Sequence, residues 1–100
     1  MNRTMVDLLS GYLSGDNISE SKRTLGDLKN VFQNEAARAQ MNPATIVYEV
    51  QGHMAVKDGT PGGLFFGTSN VMPGQVGGEY FMTKGHYHAR RECGEYYWCI

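Results

Sequence analysis

The sequence predicts an all-β sandwich or barrel with a short helical N-terminal extension, and three observations lead there. Helical spacing of apolar residues ends at Pro43, β-branched and aromatic residues dominate from Thr45 onward, and glycine-rich turns separate the runs they form. Thirteen glycines in 100 residues supply those turns. Short strands joined at that density are typical of sandwiches and barrels. The expected organisation is an extension with short helices over 1–43 and a β region over 44–100.

Each element has a local cause. Leu25, Leu28, Val31 and Phe32 recur at spacings of three and four, and Thr24 stands three residues before Asp27, an acidic variant of the capping box. A helical turn is expected there. Asn34 is a second cap candidate, ahead of Glu35-Ala36-Ala37-Arg38-Ala39-Gln40, where alanines favour helix and the acidic residue suits the first turn. Asn42-Pro43 ends it. Thr45 to Val50 reads as a strand continuing through Met54 to Val56. Lys57 to Gly63 is turn chemistry throughout, because Asp-Gly and Pro-Gly supply positive φ or the fixed proline φ. Leu64 to Met72 forms the next strand, Pro73 to Gly78 turns again, and Glu79 to His88 is the third. A hairpin around Ala89 to Gly94 launches a fourth at Glu95.

Composition removes several classes of function. Nine Lys and Arg face ten Asp and Glu, a formal net charge of −1, so the basic footprint that neutralises phosphates is missing and no nucleic-acid partner is expected. No apolar run approaches the ~20 residues that cross a bilayer, and no uninterrupted signal-peptide core opens the chain. The expectation is a soluble cytoplasmic protein with no membrane partner. Cys93 and Cys99 on one extended segment would stand about 20 Å apart, beyond the ~7 Å limit for a disulfide. Two thiols then suit a reducing compartment. The chain closes on Tyr96-Tyr97-Trp98-Cys99-Ile100, an apolar run with no turn or polar tail after it. These residues are therefore expected to be the front part of something longer.

The segment that carries chemistry is Thr83-Lys84-Gly85-His86-Tyr87-His88, with Glu95 seven residues after His88. On a strand, side chains at i and i+2 share a face about 6.5 to 7 Å apart, so both imidazoles can reach one ion. The six residues between His88 and Glu95 suffice for a hairpin that returns the carboxylate to the same face. Two histidines and a carboxylate with positions left open suit Fe(II), Mn(II), Zn(II) or Ni(II). His53 stands alone after Gly52 and reads as a surface or packing residue. Tyr80, Phe81, Tyr96, Tyr97 and Trp98 read mostly as barrel packing, and Arg90 and Arg91 as solvent-exposed hairpin-tip charges.

These residues bring a family into view. His86-x-His88 with Glu95 further on, preceded by Pro73-Gly74, resembles the first motif of the cupins, small metal-binding β-barrels of the double-stranded β-helix or jelly-roll type. The string Pro73 to Ala89, with Val47-Tyr48-Glu49-Val50 upstream, resembles the cupin-type glucose-6-phosphate isomerases of archaea and some bacteria over about Leu25 to Ile100. The resemblance makes 44–100 the first part of a cupin barrel, with the second motif absent. It implies reversible interconversion of glucose 6-phosphate and fructose 6-phosphate, in glycolysis and gluconeogenesis, by a homodimer. It also implies one divalent metal ion, Fe2+ ahead of Mn2+, Zn2+ or Ni2+, held by His86, His88 and Glu95 and by a further histidine beyond Ile100. Contacts to the phosphate and sugar would fall to Thr83, Gly85, Tyr48, Tyr97 and Ser69, the last where the family tends to have threonine.

The chemistry accounts for the residue types. Moving a proton between C2 and C1 of an open-chain sugar passes through an enediolate, which needs an electrophile at oxygen and a base near the carbon acid. A divalent metal supplies the first, and Glu95 is the candidate base as well as a ligand. A metal-promoted hydride shift is the competing route. The Thr83 hydroxyl and Gly85 N–H suit a phosphate, since glycine lets the anion approach the backbone. A non-catalytic or truncated cupin that binds a metal or a sugar phosphate is the alternative, and an iron-dependent dioxygenase of the same fold is a third reading.

Overall fold

The computed structural model describes residues 3–86, 88, 89 and 95–99. Among them the regular secondary structure is mostly strand, with one short α-helix, in keeping with the all-β class predicted. Strands β1 (Thr4–Val6) and β2 (Leu13–Gly15) form one antiparallel pair. β3 (Ile18–Thr24), β4 (Ile46–His53) and β5 (Phe66–Val71) form a sheet in that order, with β4 in the centre. β6 (Gln75–Val76) and β7 (Glu79–Tyr80) form a second antiparallel pair. A 3-10 turn at Leu25–Asp27 and the helix α1 (Glu35–Gln40) lie between β3 and β4. Contacts within the chain gather into two compact units, one of Glu20–Val50 and Ser69–Lys84, the other of Met1–Ser19, Gln51–Thr68 and Gly85–Ile100.

The first of these units holds the hydrophobic core. Leu25, Leu28, Phe32, Val47, Tyr48 and Val76 are buried together, with Val31, Ala37, Met41, Val50, Phe81 and Met82 packed around them. Full burial of each such side chain is worth about 1.5–3 kcal/mol. Both expected caps form. The Asp27 carboxylate accepts from the Thr24 backbone N–H at 2.9 Å and from its hydroxyl at 3.1 Å, and Asn34 Oδ1 accepts from Ala37 N–H at 2.9 Å. The helix then presents Arg38 inward. Its guanidinium is buried against the Glu35 carboxylate and donates to the Leu25 carbonyl at 2.9 Å, a partner set that makes burial of the charge tolerable.

Two details of the β region depart from the sequence expectation. Within Pro73 to Gly78, read as turn, Gln75–Val76 is a strand paired with Glu79–Tyr80, and only Gly77 (φ 57°) and Gly78 (φ 87°) form the loop. Positive φ at both positions is what a two-residue type I′ hairpin requires. The strand expected over Glu79 to His88 ends at Tyr80. Phe81 adds one more bond in the same register, donating its N–H to the Gly74 carbonyl at 3.0 Å, and tilts its ring against Phe32 with centroids 6.4 Å apart.

The second unit begins with strands where the sequence predicts only short helices. β1 and β2 pair in the register Thr4↔Gly15, Met5↔Ser14 and Val6↔Leu13, closed by Asp7, whose N–H donates to the Tyr12 carbonyl and whose side chain accepts from Leu9 N–H. Leu13 is buried, and the Gln51 amide satisfies both its backbone groups, accepting from Leu13 N–H at 2.7 Å and donating to Leu13 O at 3.3 Å. His53 stacks on Phe66 with centroids 5.0 Å apart, the packing role expected of it. Cys99 is a free, exposed thiol. Cys93, Arg90, Arg91 and the hairpin expected over Ala89 to Gly94 lie, apart from Ala89, outside the described residues.

Of the aromatic set expected to pack, Phe81 joins the core, whereas Tyr80, Tyr96, Tyr97 and Trp98 are exposed. None of residues 95–99 lies in a strand. No helix among the described residues is long and apolar enough to cross a membrane.

Candidate functional site

The two units carry different parts of the predicted site. In the unit that holds the core, β4 positions Tyr48 with its ring buried among apolar neighbours and its hydroxyl accepting from the Lys84 N–H at 3.4 Å. This bond ties the middle of β4 to the residue after Thr83. Thr83 itself is exposed, and Ser69 is an exposed side chain on β5.

In the other unit, His86, His88, Glu95 and Tyr97 form a connected set. The His86 and His88 rings meet edge to face, with centroids 5.0 Å apart and planes inclined by 73°. His88 Nε2 lies 2.7 Å from Glu95 Oε1, and the Tyr97 hydroxyl donates to Glu95 Oε2 at 2.7 Å. Both carboxylate oxygens are therefore engaged. The Tyr97 hydrogen bond is the largest influence holding the Glu95 carboxyl below its usual range; the charges of His88 and His86 act in the same direction, while desolvation opposes them. The same carboxylate pushes the Tyr97 phenol above its ordinary value. Gly85, which precedes His86, is exposed with open space where a side chain would begin.

The donor types fit a divalent ion: two imidazoles and a carboxylate, with His88 and Glu95 already in contact. Among the described residues, no group of three or more His, Cys, Asp or Glu is gathered as a metal-holding set. His86 neighbours His88 by its ring and makes no closed cage with Glu95.

Comparison with known proteins decides the family. The family model for glucose-6-phosphate isomerase (GPI) matches residues 22–98, which takes in β4, the Thr83 to His88 segment, Glu95 and Tyr97. The chain belongs to the cupin-type glucose-6-phosphate isomerase family. It is 38% identical over 96 residues to the glucose-6-phosphate isomerase of Thermococcus onnurineus, covering 95% of this chain and 49% of that protein. Similarity to the enzyme of the same name from Thermococcus litoralis is 38% over 87 residues, covering 85% and 45% respectively. The Sinorhizobium medicae protein of that name is 38% identical over 96 residues, covering 93% and 44%. The chain thus spans about half the length of the curated relatives it matches.

Two further residues stand out that the sequence did not signal. Asp58 lies in the expected Lys57 to Gly63 turn, where Asp-Gly is explained by turn geometry alone, yet its carboxylate Oδ2 lies 3.8 Å from His88 Nδ1. Thr68, beside Ser69 on β5, has a buried hydroxyl oxygen with no hydrogen-bond partner among the described residues. Alternation along β5, with Thr68 and Asn70 half-buried and Ser69 exposed, is the signal that could have drawn attention to Thr68.

Proposed function

We propose that the chain contributes to a metal-dependent glucose-6-phosphate isomerase that interconverts glucose 6-phosphate and fructose 6-phosphate. The observation that carries this reading is the family match over 22–98, which spans every residue assigned a chemical role. In it, His86, His88 and Glu95 hold one divalent metal, with Fe2+ first and Mn2+, Zn2+ or Ni2+ as alternatives. That ion supplies Lewis-acid polarisation of the substrate oxygens.

The protein's own groups do the rest. As a base kept ionised by its neighbours, Glu95 takes the proton from C2 of the open-chain aldose and returns it to C1, while the O2 hydroxyl proton passes to O1. Tyr97 holds that carboxylate through its hydroxyl and faces the sugar. The Thr83 hydroxyl and Gly85 N–H bind the phosphate, and Tyr48 and Ser69 contact the sugar. The near-neutral net charge of −1 leaves anion recognition to these local donors, with no broad basic surface behind them. Homodimer assembly and a place in glycolysis and gluconeogenesis complete the proposal.

A second reading, a non-catalytic protein that binds a metal or a sugar phosphate, draws on one observation: the three ligands are not gathered into a closed set among the described residues. Formation of fructose 6-phosphate from glucose 6-phosphate by the chain supplied with Fe2+ or Mn2+ supports the isomerase. Metal binding without turnover, whichever divalent ion is supplied, supports the second reading.

A further inference from the structure

The turn at residues 57–63 reaches the cluster that holds His88 and Glu95. Thr60 folds it on itself, donating its N–H at 3.1 Å and its hydroxyl at 2.6 Å to the Lys57 carbonyl. Asp58 is thereby set at the outer corner. Its Oδ2 accepts from the Ala89 N–H at 3.2 Å and lies 3.8 Å from His88 Nδ1. The next residue, Gly59, has φ 88°, and a Cβ built on it would come 3.3 Å from the Ala89 Cβ. A left-handed glycine therefore lets the turn close onto residue 89. Two independent features, a hydrogen bond and a close backbone approach, dock this turn beside His88.

From this we infer that Asp58 is a positioning residue for His88, an inference that rests on the proposed metal role of His88. The imidazole stands between two carboxylates, with Asp58 facing Nδ1 and Glu95 facing Nε2. An Nδ1–Oδ2 separation of 3.8 Å is ion-pair range and longer than a hydrogen bond. Asp58 thus acts through its charge and through its grip on the adjacent N–H. Its carboxylate faces the ring edge opposite the one that meets Glu95. The Ala89 bond fixes the backbone from which the ring projects. Carboxylates beside metal-binding histidines orient the ring, and losing one costs about 10–100-fold in metal affinity.

The test is metal affinity, measured by titrating Mn2+ or Zn2+ into the chain and its Asp58→Ala, Asp58→Asn and His88→Ala variants. His88→Ala should abolish binding at the site. Asp58→Ala should weaken it about 10–100-fold, with folding verified by circular dichroism. Asp58→Asn keeps an acceptor for Ala89 N–H and loses the charge, so it should fold like the parent and still bind metal more weakly. In the Zn2+-loaded parent, the His88 ring resonances should shift in both Asp58 variants by more than those of His86; a turn that merely braces the backbone would leave them as they were in Asp58→Asn. Loss of binding in His88→Ala with parental affinity in both Asp58 variants overturns the role of Asp58 and leaves the metal site standing. Parental affinity in His88→Ala overturns the metal site and the Asp58 inference with it.

Discussion

The Tyr97 hydroxyl donates to Glu95 Oε2 at 2.7 Å, and this bond is the largest influence lowering the Glu95 carboxyl. In the proposed role of base, Glu95 must be ionised, so activity should fall as pH drops through its pKa. Removing the bond in Tyr97→Phe raises that pKa toward the ordinary value, and the acidic limb of kcat/KM against pH moves to higher pH. A limb that stays in place or moves lower contradicts the assignment of Tyr97 as the group that keeps Glu95 charged.

Glu95→Gln leaves an amide that cannot take the C2 proton. Loss of a positioned general base lowers the rate by about 10²–10⁴-fold, and kcat should fall by that much at saturating metal. Turnover of the parent in deuterium oxide should place deuterium on the carbon that receives the proton. Full conversion without any label would favour the hydride shift over the route through Glu95.

Leu28 is fully buried beside Leu25, Phe32 and Val47. Leu28→Ala should cost about 2–5 kcal/mol, read from urea unfolding, through lost transfer energy and the cavity left behind. Leu9, 99% exposed, should tolerate alanine within about 0.5 kcal/mol. Equal effects at the two positions would mean that the core is elsewhere.

Glu35 sits at about 2 rather than 4.5, held there first by the Arg38 hydrogen bond and then by the Asn30 N–H. A folded-state pKa below the unfolded one adds stability that is complete above 4.5 and lost as pH falls toward 2. The urea midpoint of the parent should decline across that window, and the decline should be shallower in Glu35→Gln. Parallel curves would show that the pair does not contribute.

What was legible in the sequence was what short-range chemistry decides. The caps at Thr24 and Asn34 need partners only three residues away, and both formed where spacing placed them. The β4 and β5 strands follow from runs of β-branched and aromatic residues. The pairing of β1 with β2 was not legible, because Met5 and Val6 are exposed and Thr4–Val6 shows no burial alternation to betray a strand. Nor was the contact of Phe81, just past the end of β7, with Phe32, 49 positions earlier in the chain. In the candidate site, the pairing of His88 with Glu95 was anticipated from spacing, whereas Asp58 was hidden behind a turn motif that explains aspartate without any distant partner.

The most direct measurement of the central claim is isomerisation of glucose 6-phosphate by the chain after exhaustive chelation and again after Fe2+ or Mn2+ is restored, with His88→Ala in parallel. The account predicts no fructose 6-phosphate from the stripped protein, recovery on reloading, and no recovery in His88→Ala. Turnover that survives chelation, or a His88→Ala variant that recovers as the parent does, would contradict a metal-dependent isomerase built on His86, His88 and Glu95.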